Sequence, residues 1–152
     1  MSIMEQTKYV FHLAQNIHSH LSKIYHTVGN STDRERLKLL LEYMSSQEKI
    51  LKSCIEEYEN SLSRKVLNTW FKYVPKDIEI DYSKILSVNS GTDIDDIITL
   101  ALDIDDKLIS MYSEMAEHSD CESVKDAFSN LVQLEQQNKK NLVRSYMRFE
   151  DI

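Results

Sequence analysis

Glycine and proline are almost missing from this sequence, whose 152 residues contain 2 Gly and 1 Pro. Hairpins, tight turns and phosphate-binding loops depend on these residues, so their scarcity excludes folds built from short strands. Cysteine is also scarce. The 2 cysteines are too few for a disulfide framework or a thiolate zinc site, and such use is typical of a reducing compartment. We therefore expect an all-α fold and a cytoplasmic location.

Long hydrophobic runs and an excess of positive charge are lacking as well. No stretch approaches the roughly 18 apolar residues of a membrane span. The 18 Lys and Arg are outnumbered by 25 Asp and Glu, which gives a net charge of −7. A chain of this sign is repelled by phosphate backbones and by anionic lipid. We expect neither nucleic acid nor a membrane among its partners, and the sequence does not identify a protein partner.

An internal repeat with an offset of 87 residues organises the chain. Residues 10–62 align without a gap on residues 97–149. Identical residues recur along this alignment, among them the pairs Leu21/Leu108, Tyr25/Tyr112 and Glu48/Glu135. Since a fixed period is the signature of a duplicated structural unit, the repeat predicts two copies of one helical hairpin.

The turns of the two predicted hairpins share their chemistry. Thr32-x-x-Glu35 and Ser119-x-x-Glu122 each place a hydroxyl three residues before a carboxylate, which is the pattern of a capping box at a helix start. The helices are predicted near 4–28, 33–61, 92–117 and 120–149. A single domain over 1–152 then comprises a hairpin at 4–61, a crossover at 62–91 and a hairpin at 92–149.

The predicted crossover is much longer than a tight turn requires. A connection of this length can run along a bundle, which makes the second hairpin antiparallel to the first. It contains the aromatic residues Trp70, Phe71 and Tyr73, which are the best candidates for a contact between subunits. We expect a homo-dimer or a higher homo-oligomer.

Polar residues interrupt the apolar stripe of each predicted helix. They are His18, Glu48, Asp105 and Glu135, with Asn138 one turn beyond. A lone carboxylate in such a stripe is usually a register error or a side chain that reaches solvent. Four residues at positions related by the repeat are harder to explain in that way, because His18 corresponds to Asp105 and Glu48 to Glu135. We therefore expect them in one layer inside the bundle.

Three buried carboxylates need compensation, because each unpaired one costs several kcal/mol. A metal cation, protonation with raised pKa values, His18 as a cationic partner, or hydrogen bonds from Tyr25 and Tyr112 could supply it. Oxygen ligands with one imidazole suit iron, manganese or zinc better than copper.

Two tracts resemble the rubrerythrin branch of the ferritin-like proteins. They are the residues from Ala101 to Ala116 and the pattern Phe128-x-x-Leu131-x-x-x-Glu135-x-x-Asn138. In that branch a Glu lies seven residues before a Tyr on one helix, and Glu-x-x-His lies on the next. His18 before Tyr25 and Glu48 in the second helix repeat the resemblance in the first hairpin.

The resemblance implies a ferritin-like four-helix bundle with six positions for di-iron ligands and with oxidase, peroxidase or iron-storage chemistry. In this sequence the six positions hold His18, Glu48, Leu51, Asp105, Glu135 and Asn138. Leu51 and Asn138 stand where the family has histidines, and His18 stands where it has a Glu. The resemblance thus implies a degenerate di-iron site.

We accordingly expect a non-catalytic binding, regulatory or scaffold protein with no catalytic residues. The expected cofactor is none, or one divalent metal (Fe, Mn or Zn) at a site made of His18, Glu48, Asp105, Glu135 and Asn138. The alternative is a non-haem iron or manganese oxidoreductase or peroxidase, or an iron-binding protein, with an atypical mono- or dinuclear carboxylate site.

Overall fold

Four long helices and one short helix form in the parts of the chain that this computed structural model describes, which are residues 5–71, 83 and 94–150. The helices are α1 (Thr7–Ser31), α2 (Glu35–Ser61), α3 (Arg64–Leu67), α4 (Ile94–Glu117) and α5 (Glu122–Glu150). Two strands of two residues each, β1 (Glu5–Gln6) and β2 (Trp70–Phe71), pair antiparallel. The fold is an all-α helical bundle, as predicted from the shortage of glycine and proline.

The two hairpins follow the repeat closely. The first residue of α4 lies 87 positions after that of α1, and the first residue of α5 lies 87 positions after that of α2. Helices α2 and α5 run antiparallel. At one end of this pair the Arg36 guanidinium donates a hydrogen bond to the Phe149 carbonyl, and at the other Asn130 Nδ2 donates to the Tyr58 hydroxyl at 2.8 Å.

The predicted capping boxes are wrong in detail. Helix α2 begins at Glu35 and α5 at Glu122, so each glutamate is the first residue of its helix and not the third. The Thr32 hydroxyl accepts a hydrogen bond from the Arg34 backbone N–H at 3.2 Å, and Ser119 does the same for the N–H of Cys121 at 3.2 Å. Each hydroxyl thus forms a short turn just before its helix, because Ser and Thr side chains can accept a hydrogen bond from the backbone N–H two residues on.

Helix α1 begins later than predicted, at Thr7 and not at residue 4. The two preceding residues are extended, because they pair with β2, and Thr7 N–H donates to the Thr69 carbonyl at 2.9 Å. Inside the first hairpin α1 and α2 approach closely. Buried Ser22 and Ser45 exchange hydrogen bonds across the interface, with their hydroxyl oxygens 3.1 Å apart.

The crossover is described only in its first part. Trp70 is 55% exposed, but Phe71 is 4% exposed and packs its ring edge-on against Phe128, with centroids 5.8 Å apart. The prediction that Phe71 forms a subunit contact is therefore wrong, because its side chain belongs to the core. Tyr73 and the rest of the crossover up to residue 91 lie outside the described residues, apart from residue 83. None of the helices described at 5–71 and 94–150 could cross a membrane.

Candidate functional site

The polar residues predicted to share a layer are buried in the middle of the bundle. Each of the four long helices contributes one, and their exposed fractions are 0% for His18, 6% for Glu48, 2% for Asp105 and 0% for Glu135. Each lies in an apolar stripe of its helix, so helical spacing alone turns it towards the other helices. The predicted placement of this layer is confirmed.

His18 lies between two glutamates and contacts both. Its Nδ1 is 2.5 Å from Glu48 Oε2, and its Nε2 is 2.6 Å from Glu135 Oε1. A neutral imidazole has one donor nitrogen, whereas an imidazolium has two. Because carboxylates accept hydrogen bonds, this geometry fits an imidazolium that donates from both nitrogens. We call this arrangement the Glu48–His18–Glu135 triad.

The electrostatics of the triad favour bound protons. Burial alone would lower the pKa of His18, but the negative charges of Glu135 and Glu48 outweigh it and raise this pKa well above its usual value. Burial raises the pKa of Glu48, and the charge of His18 opposes that rise. The two glutamates therefore favour the charged form of His18, which is a cation supplied from within the protein.

One carboxylate oxygen of Glu135 accepts hydrogen bonds and the other has no hydrogen-bond partner among the described residues. Its Oε1 accepts a second hydrogen bond from the Tyr112 hydroxyl at 3.2 Å. Burial and the charge of Glu135 raise the pKa of Tyr112 well above its usual value, so the phenol stays protonated and able to donate. Within residues 5–71 and 94–150, Glu135 Oε2 is the buried side-chain oxygen that has no hydrogen-bond partner.

Asp105 lies beside the triad without a strong partner. Asn138 Nδ2 donates to its Oδ2 at 3.4 Å, which is a long hydrogen bond. Burial raises the pKa of Asp105 well above its usual value, and the charges of Glu135 and Glu48 raise it further. Burial and these neighbouring charges therefore disfavour the ionised form of Asp105 relative to the same side chain in water.

A narrow cleft leads from the surface to this layer. Its walls include Tyr43 and Gln47 on α2 and Asn138 on α5, and it reaches Glu48. Tyr43 and Gln47 were not among the site residues predicted from the sequence. Their position could have been read from helical spacing, because Gln47 precedes Glu48 directly and Tyr43 lies one turn earlier on the same flank.

The residues present do not fit a di-iron centre. That centre takes a Glu from each of two helices and a Glu-x-x-His from each of the other two. Here Leu51, which is 4% exposed, places an aliphatic side chain at one of the two histidine positions. At the other position, the Asn138 amide donates a hydrogen bond to Asp105. In the described residues, no three His, Cys, Asp or Glu side chains are grouped so as to hold a metal ion.

The His18 distances lead to the same conclusion. Two atoms bound to one metal at about 2.1 Å in tetrahedral geometry lie about 3.4 Å apart. The nitrogens of His18 lie 2.5 and 2.6 Å from carboxylate oxygens, so hydrogen bonds and not a shared metal join them. The nitrogen and oxygen atoms that could bind a metal are therefore engaged in hydrogen bonds with one another.

Comparison with known proteins shows the fold. No protein-family model matches the chain, and no curated protein sequence matches it. In structure it is similar to a protein from Thermotoga maritima that is provisionally described as a ferritin-like diiron-carboxylate protein. The TM-score is 0.64 at 13% sequence identity, and the match covers 92% of this chain and 93% of the other. The bundle therefore has the ferritin-like fold.

Proposed function

We propose that this ferritin-like bundle is a metal-independent protein, related to the rubrerythrin branch, that acts as a non-catalytic binding, regulatory or scaffold protein. One observation carries the proposal. Both ring nitrogens of His18 are hydrogen-bonded to the two glutamates that would otherwise be metal ligands. The imidazolium thereby supplies the positive charge that these carboxylates need, and it does so without a metal.

The substitutions at the other ligand positions support this interpretation. Leu51 has no donor atom, and Asn138 offers only an amide, which is a weak ligand for iron. The side chains that remain form hydrogen bonds with one another instead. These hydrogen bonds compensate the buried polar layer from within the protein, which supports a binding, regulatory or scaffold role.

Metal analysis together with activity assays tests this function. The protein is expressed with iron, purified, and also reconstituted anaerobically with Fe²⁺, and its metal content, ferroxidase activity and peroxidase activity are measured. We expect less than one metal per chain, no turnover, and a Tm that a chelator does not change. Two irons per chain with turnover would contradict the proposal.

A variant with restored ligands provides the matched positive control. The triple substitution His18→Glu, Leu51→His, Asn138→His returns nitrogen ligands to both empty positions and removes the internal cation. It should bind two divalent metals per chain and gain thermal stability from them. If the wild type and this variant bind metal equally, the His18 argument fails.

The unpaired Glu135 oxygen favours a second candidate function. Together with Asp105 and Asn138 it offers oxygen atoms to a single divalent ion, such as iron, manganese or zinc, beside the triad. The protein would then be an iron-binding protein or an oxidoreductase with an atypical site. One metal per chain that is lost in Asp105→Asn, while the His18 hydrogen bonds persist, would establish this candidate.

The expected cellular context belongs to the same proposal. Cys54 and Cys121 are both free thiols, which is consistent with a reducing, cytoplasmic environment. Trp70 remains the candidate residue for a homo-oligomer contact, because its indole is 55% exposed.

A further inference from the structure

A shallow groove separates the start of α2 from the end of α5. Leu39 and Tyr43 lie on its α2 side and Phe149 and Arg148 on its α5 side, with Arg36 beside them. Leu39 is 59% exposed and Tyr43 is 36% exposed, so large apolar side chains face solvent here. We call this surface the α2–α5 groove.

A row of cations borders the groove on α5. Lys140, Arg144 and Arg148 recur every fourth residue, so they lie above one another on a single helix face over about 12 Å. Beside Arg148, the Arg36 guanidinium lies 4.8 Å from the centroid of the Phe149 ring. Within residues 5–71 and 94–150, none of these four cations pairs with a carboxylate.

A second apolar row follows the cations on α5. Val143 is 39% exposed and Met147 is 59% exposed, and they share the same four-residue spacing. A second shallow depression runs from Val143 along Lys140 and Arg144. The surface thus has an apolar row on α2, a cationic row on α5 and an apolar row beyond it.

We propose that the α2–α5 groove binds an acidic amphipathic helix of another protein. This inference rests on the proposed function, since it names the class of partner for a binding protein. An amphipathic helix in such a groove places apolar side chains between α2 and α5 and glutamates or aspartates, also four residues apart, along the cationic row. Unpaired cations concentrated on one face of a chain with net charge −7 favour an acidic occupant.

A second copy of the chain is a poorer occupant of this groove. Pairing about a two-fold axis brings the same patch of both copies together. The cationic row of one copy would then face that of the other, and like charges in an interface cost several kcal/mol. The partner is therefore a different, acidic chain.

Binding of designed peptides tests the proposal. The probe is a fluorescent helical peptide with leucines on one face and glutamates at four-residue spacing beside them, and its control has lysines in place of the glutamates. Anisotropy titrations should show binding of the acidic peptide alone, and the affinity should fall as salt is added. Leu39→Asp, and Arg144→Glu combined with Arg148→Glu, should each weaken binding about tenfold or more.

Matched variants control for nonspecific effects. Ile50→Asp changes another α2 residue that is 55% exposed but lies outside the groove, and Lys8→Glu with Lys23→Glu reverses two cations on α1. Both should leave peptide binding unchanged. Circular dichroism of every variant separates a lost contact from a lost fold.

Three results would overturn the inference. They are no binding of the acidic peptide at millimolar concentration, equal binding of vesicles of equimolar phosphatidylserine and phosphatidylcholine, and a wild-type dimer that Leu39→Asp converts to a monomer. Measuring the metal content of the same preparations tests the proposed metal-independent function separately from peptide binding by the α2–α5 groove. Two irons per chain would contradict the proposed function and leave the peptide result standing.

Discussion

Replacing His18 by leucine removes the buried cation and leaves Glu48 and Glu135 facing each other without compensation. The wild-type imidazolium makes hydrogen bonds of 2.5 and 2.6 Å to these carboxylates. Hydrogen bonds to charged groups contribute about 1.5–3 kcal/mol each, and loss of one partner of a buried ion pair costs about 3–5 kcal/mol. We therefore expect His18→Leu to lower the free energy of unfolding by about 3–5 kcal/mol.

Urea unfolding at pH 7 measures this loss. His26→Leu is the matched control, because His26 is exposed and its change should stay within about 0.5 kcal/mol. Adding Glu48→Gln and Glu135→Gln to His18→Leu removes the stranded charges and should recover much of the stability. A loss below about 1 kcal/mol for His18→Leu, with an unchanged m value, would refute the reasoning.

The pH dependence of stability adds a second signature. The pKa of His18 is raised above its unfolded value of 6.5, so its stabilisation is fully present below pH 6.5 and is lost as pH rises through the folded pKa. The pKa of Asp105 is raised above 3.8, so its contribution is likewise lost as pH rises from that value. The free energy of unfolding of the wild type should therefore fall as pH rises above 3.8, where Asp105 titrates, and again above 6.5, where His18 titrates. His18→Leu should abolish the second fall.

Three further predictions concern single side chains. Asp105→Asn should stabilise the protein by about 1–3 kcal/mol in urea unfolding at pH 7, because an amide removes a poorly compensated buried charge and can still accept from Asn138. The gain should vanish at pH 3, and a loss at pH 7 would count against the raised pKa. Gly29→Ala should raise the free energy of unfolding by about 0.5–1 kcal/mol, because the new Cβ meets the Leu41 Cβ at 3.4 Å, an ordinary contact, and alanine favours the helix. Trp70→Glu should convert a dimer to a monomer in sedimentation velocity, and a wild type that is already monomeric at its highest soluble concentration would contradict the expected contact.

Much of the fold was predictable because it depends on period and composition. The 87-residue offset located the second hairpin, and stripe spacing turned Glu48 and Glu135 inward. The starts of the helices were less predictable. Whether Thr32 binds the N–H two or three residues on depends on turn geometry, which residue types do not determine. The start of α1 depended on pairing with β2, which is distant in sequence.

The contents of the polar layer were predictable, but its hydrogen bonds were not. Helical spacing showed that His18 and the carboxylates share a layer, and His18 as a cationic partner was one of several ways to compensate them. The choice depends on distances of a few tenths of an ångström between side chains of different helices. Burial of Phe71 was likewise hidden, because Trp70 and Phe71 point to opposite sides of β2, and the aromatic pair alone does not show which side faces the core.

The protonation state of His18 is the most direct test of the account. Nitrogen-15 NMR of the histidine rings in the purified, chelator-treated protein reports whether each ring nitrogen carries a proton. Both nitrogens of the His18 ring should carry protons at pH 7.5, and the His18→Leu variant should lack that signal. A neutral His18 ring at this pH, or a ring nitrogen that binds added Fe²⁺, Mn²⁺ or Zn²⁺, would contradict the claim that an imidazolium takes the place of a metal.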